Sequence, residues 1–138
     1  MDRRVLILVA FGLSGMTALI YEVVWFRPLS LVFGSTVYAL STMLTAFFAG
    51  FALGSHLFAG FADRHRNPLV LFAFIELGIA IYGVIILQIF NWLPFPYISI
   101  WGAFHENFAL FIFAQFLLAF LVLLIQTTLM GATWPVVN

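Results

Sequence analysis

Two glutamates carry the chemical interest of this 138-residue chain, because Glu22 and Glu76 each stand inside a long apolar run. An ionisable group within a membrane span costs roughly 2.5–3.5 kcal/mol on insertion scales, so each carboxylate needs a compensating partner. One reading makes them a cation or proton site within a helix bundle. The other makes each a protonated or hydrogen-bonded carboxylate, with Arg27 available to pair with Glu22. At 1.5 Å per residue, Glu22 lies about 10 Å outward of the centre of its span and Glu76 about 5 Å inward of its own. An axial gap of about 15 Å therefore separates them, too wide for one paired-carboxylate site.

The remaining candidates are weaker. His56 has the chemistry to ligate a haem or pigment metal, but a lone histidine fits a hydrogen-bonded helix-interface residue better. His105 and Glu106 adjoin each other without a third ligand at metal spacing, which suits a solvated pair. The sequence holds no Ser-His-Asp order, Gly-rich phosphate loop or HExxH. It has no cysteine, which removes disulfides, thiolate metal sites and cysteine nucleophiles. The expectation is a non-catalytic protein with no cofactor and no resident metal.

The elements that position these residues follow from composition. Hydrophobic residues make up 65% of the chain and charged ones 7%, with mean hydropathy +1.19, against roughly 25% charged in soluble domains. No Asp, Glu, Lys or Arg occurs between Pro28 and Ala62, between Leu77 and His105, or from Asn107 onward, and a bilayer span needs only about 20 such residues. The expected fold class is all-α, a polytopic membrane protein forming a single domain over 1–138. Its four transmembrane helices fall at about 5–26, 36–61, 69–90 and 108–130. The basic start, Met1-Asp-Arg-Arg, resembles a signal peptide, but the apolar run is too long for a signal core and reads as a retained helix. Arg27-Pro28 marks the end of the first span or a kink, with 29–34 as an apolar connector and Ser35 or Thr36 as the next cap. Pro68 suits the first turn of the third helix. Gly131 and Pro135 close the fourth. The segment 91–107, with Trp92, Pro94, Pro96, Tyr97 and Trp101, reads as an interfacial outer loop, with room for one short helix.

Arg3, Arg4, Arg64 and Arg66 fall on one membrane face and Arg27 on the other, which puts both termini in the cytoplasm. The arginines are dispersed and the net charge is zero, so nucleic acid is not an expected partner. Thr42, Ala46, Gly50 and Gly54 recur every fourth residue as a helix-packing stripe, including a GxxxG. Gly12, Gly15 and Ala18 form a similar groove on the first span, so pairing of the first two helices is the economical expectation. The 18 phenylalanines read as lipid-facing bulk and packing.

Several segments together carry a family resemblance. They are Ser14-Gly15, Tyr21-Glu22-Val-Val-Trp25-Phe-Arg27, Phe33-Gly34-Ser35-Thr36-Val-Tyr38-Ala39, Gly50-Phe-Ala-Leu-Gly54, Gly60-Phe-Ala-Asp63-Arg64, Glu76-Leu-Gly78 and Met130-Gly131-Ala-Thr133-Trp-Pro135. Over nearly the whole chain these resemble the N-terminal membrane domain of membrane-bound spermidine-synthase-like proteins, described as fusions with a major-facilitator-type transporter. The stretch from Gly60 through Asp63 and Arg64 to Arg66 also resembles the cytoplasmic loop motif between helices two and three of major-facilitator transporters. The family's synthase part is a separate soluble domain, and none of its motifs lies in this sequence. The resemblance therefore implies a truncated, split or specialised relative in a bacterial or archaeal cytoplasmic membrane. It implies handling of a cationic, polyamine-like solute, with Glu22, Glu76 and Arg27 as candidate binding residues. Alternating access needs two units, which calls for a homodimer, other membrane subunits or a separate synthase-like chain. The competing expectation is a small accessory subunit of a larger membrane complex, respiratory or photosynthetic.

Overall fold

A backbone in hydrocarbon must satisfy its own hydrogen bonds, so long charge-free runs become helices. The structure, a computed structural model, describes residues 3–62, 64, 67–104 and 106–137. Its helices are α1 (Arg3–Phe33), α2 (Thr36–Ala62), α3 (Pro68–Trp92), α4 (Pro94–Phe104) and α5 (Phe108–Val137). Four of them, α1, α2, α3 and α5, are long and apolar enough to cross a membrane, which makes this an all-α integral membrane protein.

Two helices run past the ends expected from sequence. The first does not stop at Phe26 but continues through Pro28 to Phe33. Pro28 withholds one N–H from the carbonyl of Val24, a cost of roughly 3 kcal/mol for an interior proline. An unwound 29–34 connector would strand several N–H and C=O groups in lipid at several kcal/mol each, so the helix persists. The turn instead falls at Gly34, whose φ of 63° lies in the left-handed region that glycine adopts without strain. Ser35 then precedes α2, its carbonyl accepting the Ala39 N–H at 3.2 Å. Likewise α5 does not close at Gly131 but passes through it and Pro135 to Val137.

The other boundaries follow local chemistry. Pro68 sits at the start of α3, where no N–H is needed, and the Asn67 carbonyl accepts the N–H groups of Val70 and Leu71. Within the outer segment, α4 places Pro94 and Pro96 in its first turn and has no buried residue. Aromatic contacts hold it to α5, with Trp101 and Tyr97 meeting the Phe111 ring edge-on at centroid distances of 5.1 and 5.4 Å.

The tightest pair in the bundle is α2 with α5. Thr42, Ala46, Gly50 and Gly54 are all buried. A methyl group built on Gly50 would overlap the Thr127 side chain, one on Gly54 would overlap the Thr128 carbonyl and Ala132 backbone, and one on Gly131 would overlap the Phe51 backbone. Thr127 Oγ1 spans this contact, 2.9 Å from the Ala46 carbonyl and 3.0 Å from its own Leu123 carbonyl. The expected pairing of the α2 stripe with α1 is therefore corrected. Gly12 and Gly15 are exposed, with nothing within 4 Å of the place a methyl group would take, whereas the threonines and small residues of α5 admit the α2 backbone.

Candidate functional site

Glu76 enters the bundle from α3, and Ser14 of α1 meets it there. The Ser14 hydroxyl donates to Glu76 Oε1 at 2.5 Å, a length typical of a hydroxyl on a carboxyl oxygen. Both side chains are partly buried. Ser14 also lines a cavity of about 140 Å³ between α1, α2 and α5, with Phe11, Gly15, Phe47, Phe51 and Thr133 among its walls. At about 30 Å³ per water, that space admits a few waters or one small cationic head group. Gly15 helps leave it open, since no atom approaches the position a Cβ would take. The hydroxyl thus stands between an open space and a carboxylate, able to accept from a donor in the cavity while donating to Glu76.

Glu22 is placed differently. It lines a wider groove of about 330 Å³ between α1 and α2, walled by Leu19, Val23, Phe26, Leu40 and Met43. Among the described residues nothing hydrogen-bonds to it or forms an ion pair with it. Arg27 is exposed, and five residues on it lies about 140° around the helix from Glu22, off the face where pairing is favoured. The structure thus removes Arg27 as the compensating partner of Glu22. It also keeps the two acids apart. Glu76 is at the level of Ser14, and eight residues of helix put Glu22 about 12 Å farther out.

Several polar residues that matter to the interior were not singled out from sequence. Gln115 and Gln126 of α5 are 2% and 0% exposed. Gln115 donates to the Val32 carbonyl at 2.6 Å, and Gln126 to that of Ile79 at 3.1 Å. Tyr82 donates to the Val122 carbonyl at 2.8 Å. Each bond lands on a carbonyl of another helix and so fixes rotation and register between helices. Among the described residues the Oε1 atoms of both glutamines and Nε1 of Trp25 are buried without a partner. The available signal was the presence of amides in an otherwise charge-free span, which must face inward.

The other sequence candidates are dispersed. His56 is exposed on α2, Gly60 is exposed near its end, and Arg64 is exposed in the following turn, its N–H donating to the Phe61 carbonyl at 3.3 Å. Asp63, the remaining member of that loop motif, lies outside the described residues, as do His65, Arg66 and His105. Glu106 is exposed in the turn before α5. Among the described residues no group of three His, Asp or Glu is placed to hold a metal ion.

Comparison of the chain with family models, with curated proteins and with solved structures finds no match in any of the three. The family resemblance therefore rests on its sequence segments alone. In the structure most of those segments pack the interior. Trp25 is buried and stacks on Tyr21 at 5.3 Å, Gly50 and Gly54 admit α5, and Met130 to Thr133 are buried against α2. Glu22 and Glu76 are the members whose packing role does not account for their charge.

Proposed function

We propose that this membrane protein is a non-catalytic module that holds and passes a cationic solute, polyamine-like in chemistry, at Glu76. The observation that carries the reading is the Ser14–Glu76 hydrogen bond beside a cavity. A carboxylate inside a span is costly, and such groups are rare, paired with other polar groups and found at sites of function. Here one carboxyl oxygen holds a hydroxyl whose own oxygen is free to receive an ammonium N–H. The second unit needed for alternating access is a second copy of this chain or another membrane subunit, with a separate synthase-like chain as a further partner. The proposed setting is a bacterial or archaeal cytoplasmic membrane with both termini cytoplasmic.

Proteoliposomes containing the chain are expected to take up labelled spermidine, and Glu76→Gln to abolish uptake while keeping helical content. Uptake unchanged in Glu76→Gln would overturn the reading. A second reading, an accessory subunit of a larger assembly, is favoured by the unpartnered Glu22 in an open groove. It predicts that mild-detergent extraction retrieves stoichiometric respiratory or photosynthetic partners, and that the isolated chain moves no solute.

A further inference from the structure

The two spaces are neighbours along α1. The inner cavity is lined by Phe11, Ser14, Gly15, Ala18 and Leu19, and the outer groove by Leu19, Glu22, Val23 and Phe26. They meet at Leu19. On α2 their walls are Phe51 and Phe47, then Met43 and Leu40, successive positions of one helical stripe. Together they make one trough along the α1–α2 seam. Its outer part carries a carboxylate with no partner among the described residues, and its inner part carries a hydroxyl already bonded to a carboxylate. Between these two polar points the wall is hydrocarbon.

We infer that this trough is a two-anchor seat for a linear α,ω-diammonium chain, with Glu22 as the outer anchor and Ser14–Glu76 as the inner one. The inference rests on the cation-holding reading above and adds how the ligand is recognised. Charge complementarity sets the ends, since each ammonium meets an acid or a hydroxyl polarised by one. The apolar stretch at Leu19, Met43 and Phe47 suits the methylenes between the ends. The helical rise sets the length. The anchors are eight residues apart on α1, so ammonium groups about 12 Å apart bridge them, and shorter chains reach one anchor only. Glu22 thereby gains the counter-ion that no described residue supplies, and Leu19 becomes the residue over which the chain must pass.

The test uses the full chain in lipid nanodiscs, titrated calorimetrically with straight-chain diamines of increasing length and with matched monoamines. The expected result is an affinity maximum at the diamine whose ends stand about 12 Å apart, about tenfold to a hundredfold tighter than the monoamine. Glu22→Gln should erase that maximum and leave diamine and monoamine equal. Leu19→Trp, at the exposed residue shared by both walls, should weaken binding of the long diamine by a larger factor than binding of the monoamine. Equal binding of monoamines and diamines in the unaltered chain, abolished by Glu76→Gln, would overturn the two-anchor seat and leave the cation-holding reading intact. A length optimum that survives Glu22→Gln would also overturn it, as would a bound lipid in the trough that no amine displaces. No amine binding of any kind would remove both.

Discussion

Gly54→Ala should loosen the bundle, whereas Gly12→Ala should not. A methyl group at Gly54 meets the Thr128 carbonyl and the Ala132 backbone of α5. Neither is the end of a flexible side chain, so the helices themselves must separate. Overpacking of this kind costs about 1–3 kcal/mol. Separation also stretches the Thr127–Ala46 hydrogen bond, and such interhelical bonds average about 0.6 kcal/mol, reaching about 1.7. Alanine's helix advantage over glycine, about 1 kcal/mol, offsets part of this, so the expected net loss is about 1–4 kcal/mol. At Gly12 nothing lies within 4 Å, so the same change removes only the helix penalty of glycine and is neutral or stabilising by up to about 1 kcal/mol. Unfolding in bicelles, driven and read by steric trapping of the unfolded state, measures both. Equal damage from the two substitutions would refute the pairing of α2 with α5.

Other outcomes follow from the same packing. Thr127→Val keeps the shape and loses the bond to Ala46, so stability should fall by about 0.6–1.7 kcal/mol in the same assay. Gln126→Met removes the donor to Ile79 together with a buried oxygen that has no partner, so its stability should stay within about 1 kcal/mol of the parent chain. The absence of cysteine makes single-cysteine labelling clean, and Ser99→Cys on exposed α4 should react with an impermeant maleimide from the non-cytoplasmic side of intact cells. Labelling there only after permeabilisation would reverse the proposed orientation.

The spans were legible because their signal is local: each is a continuous run without charge, and lipid leaves such a run one stable conformation. Pro28 and Pro135 misled because proline ends helices in water, where a freed carbonyl finds solvent; in hydrocarbon, unwinding costs more than one lost bond. The Thr42–Gly54 stripe announced a close helix contact but not its partner, since small residues reveal that a backbone can approach and not which one does. The partner's signature was present in Thr127, Thr128, Gly131 and Ala132, spaced to present one face. For the acids, helix rise alone separated Glu22 from Glu76 by about 15 Å, and the level of Ser14 now puts that gap at about 12 Å. Ser14 itself was invisible as a partner of Glu76, because a contact across 62 residues leaves no local pattern.

Cation binding at Glu76 is tested most directly by infrared difference spectroscopy of the carboxyl groups in nanodisc-held protein on adding spermidine. A carboxyl band is expected to change, its Glu76 component being lost in Glu76→Gln and shifted in Ser14→Ala, where the hydroxyl donor is gone, with at most the part owed to Glu22 remaining. A spectrum unchanged by spermidine, or a change identical in the parent chain and in Glu76→Gln, would contradict it.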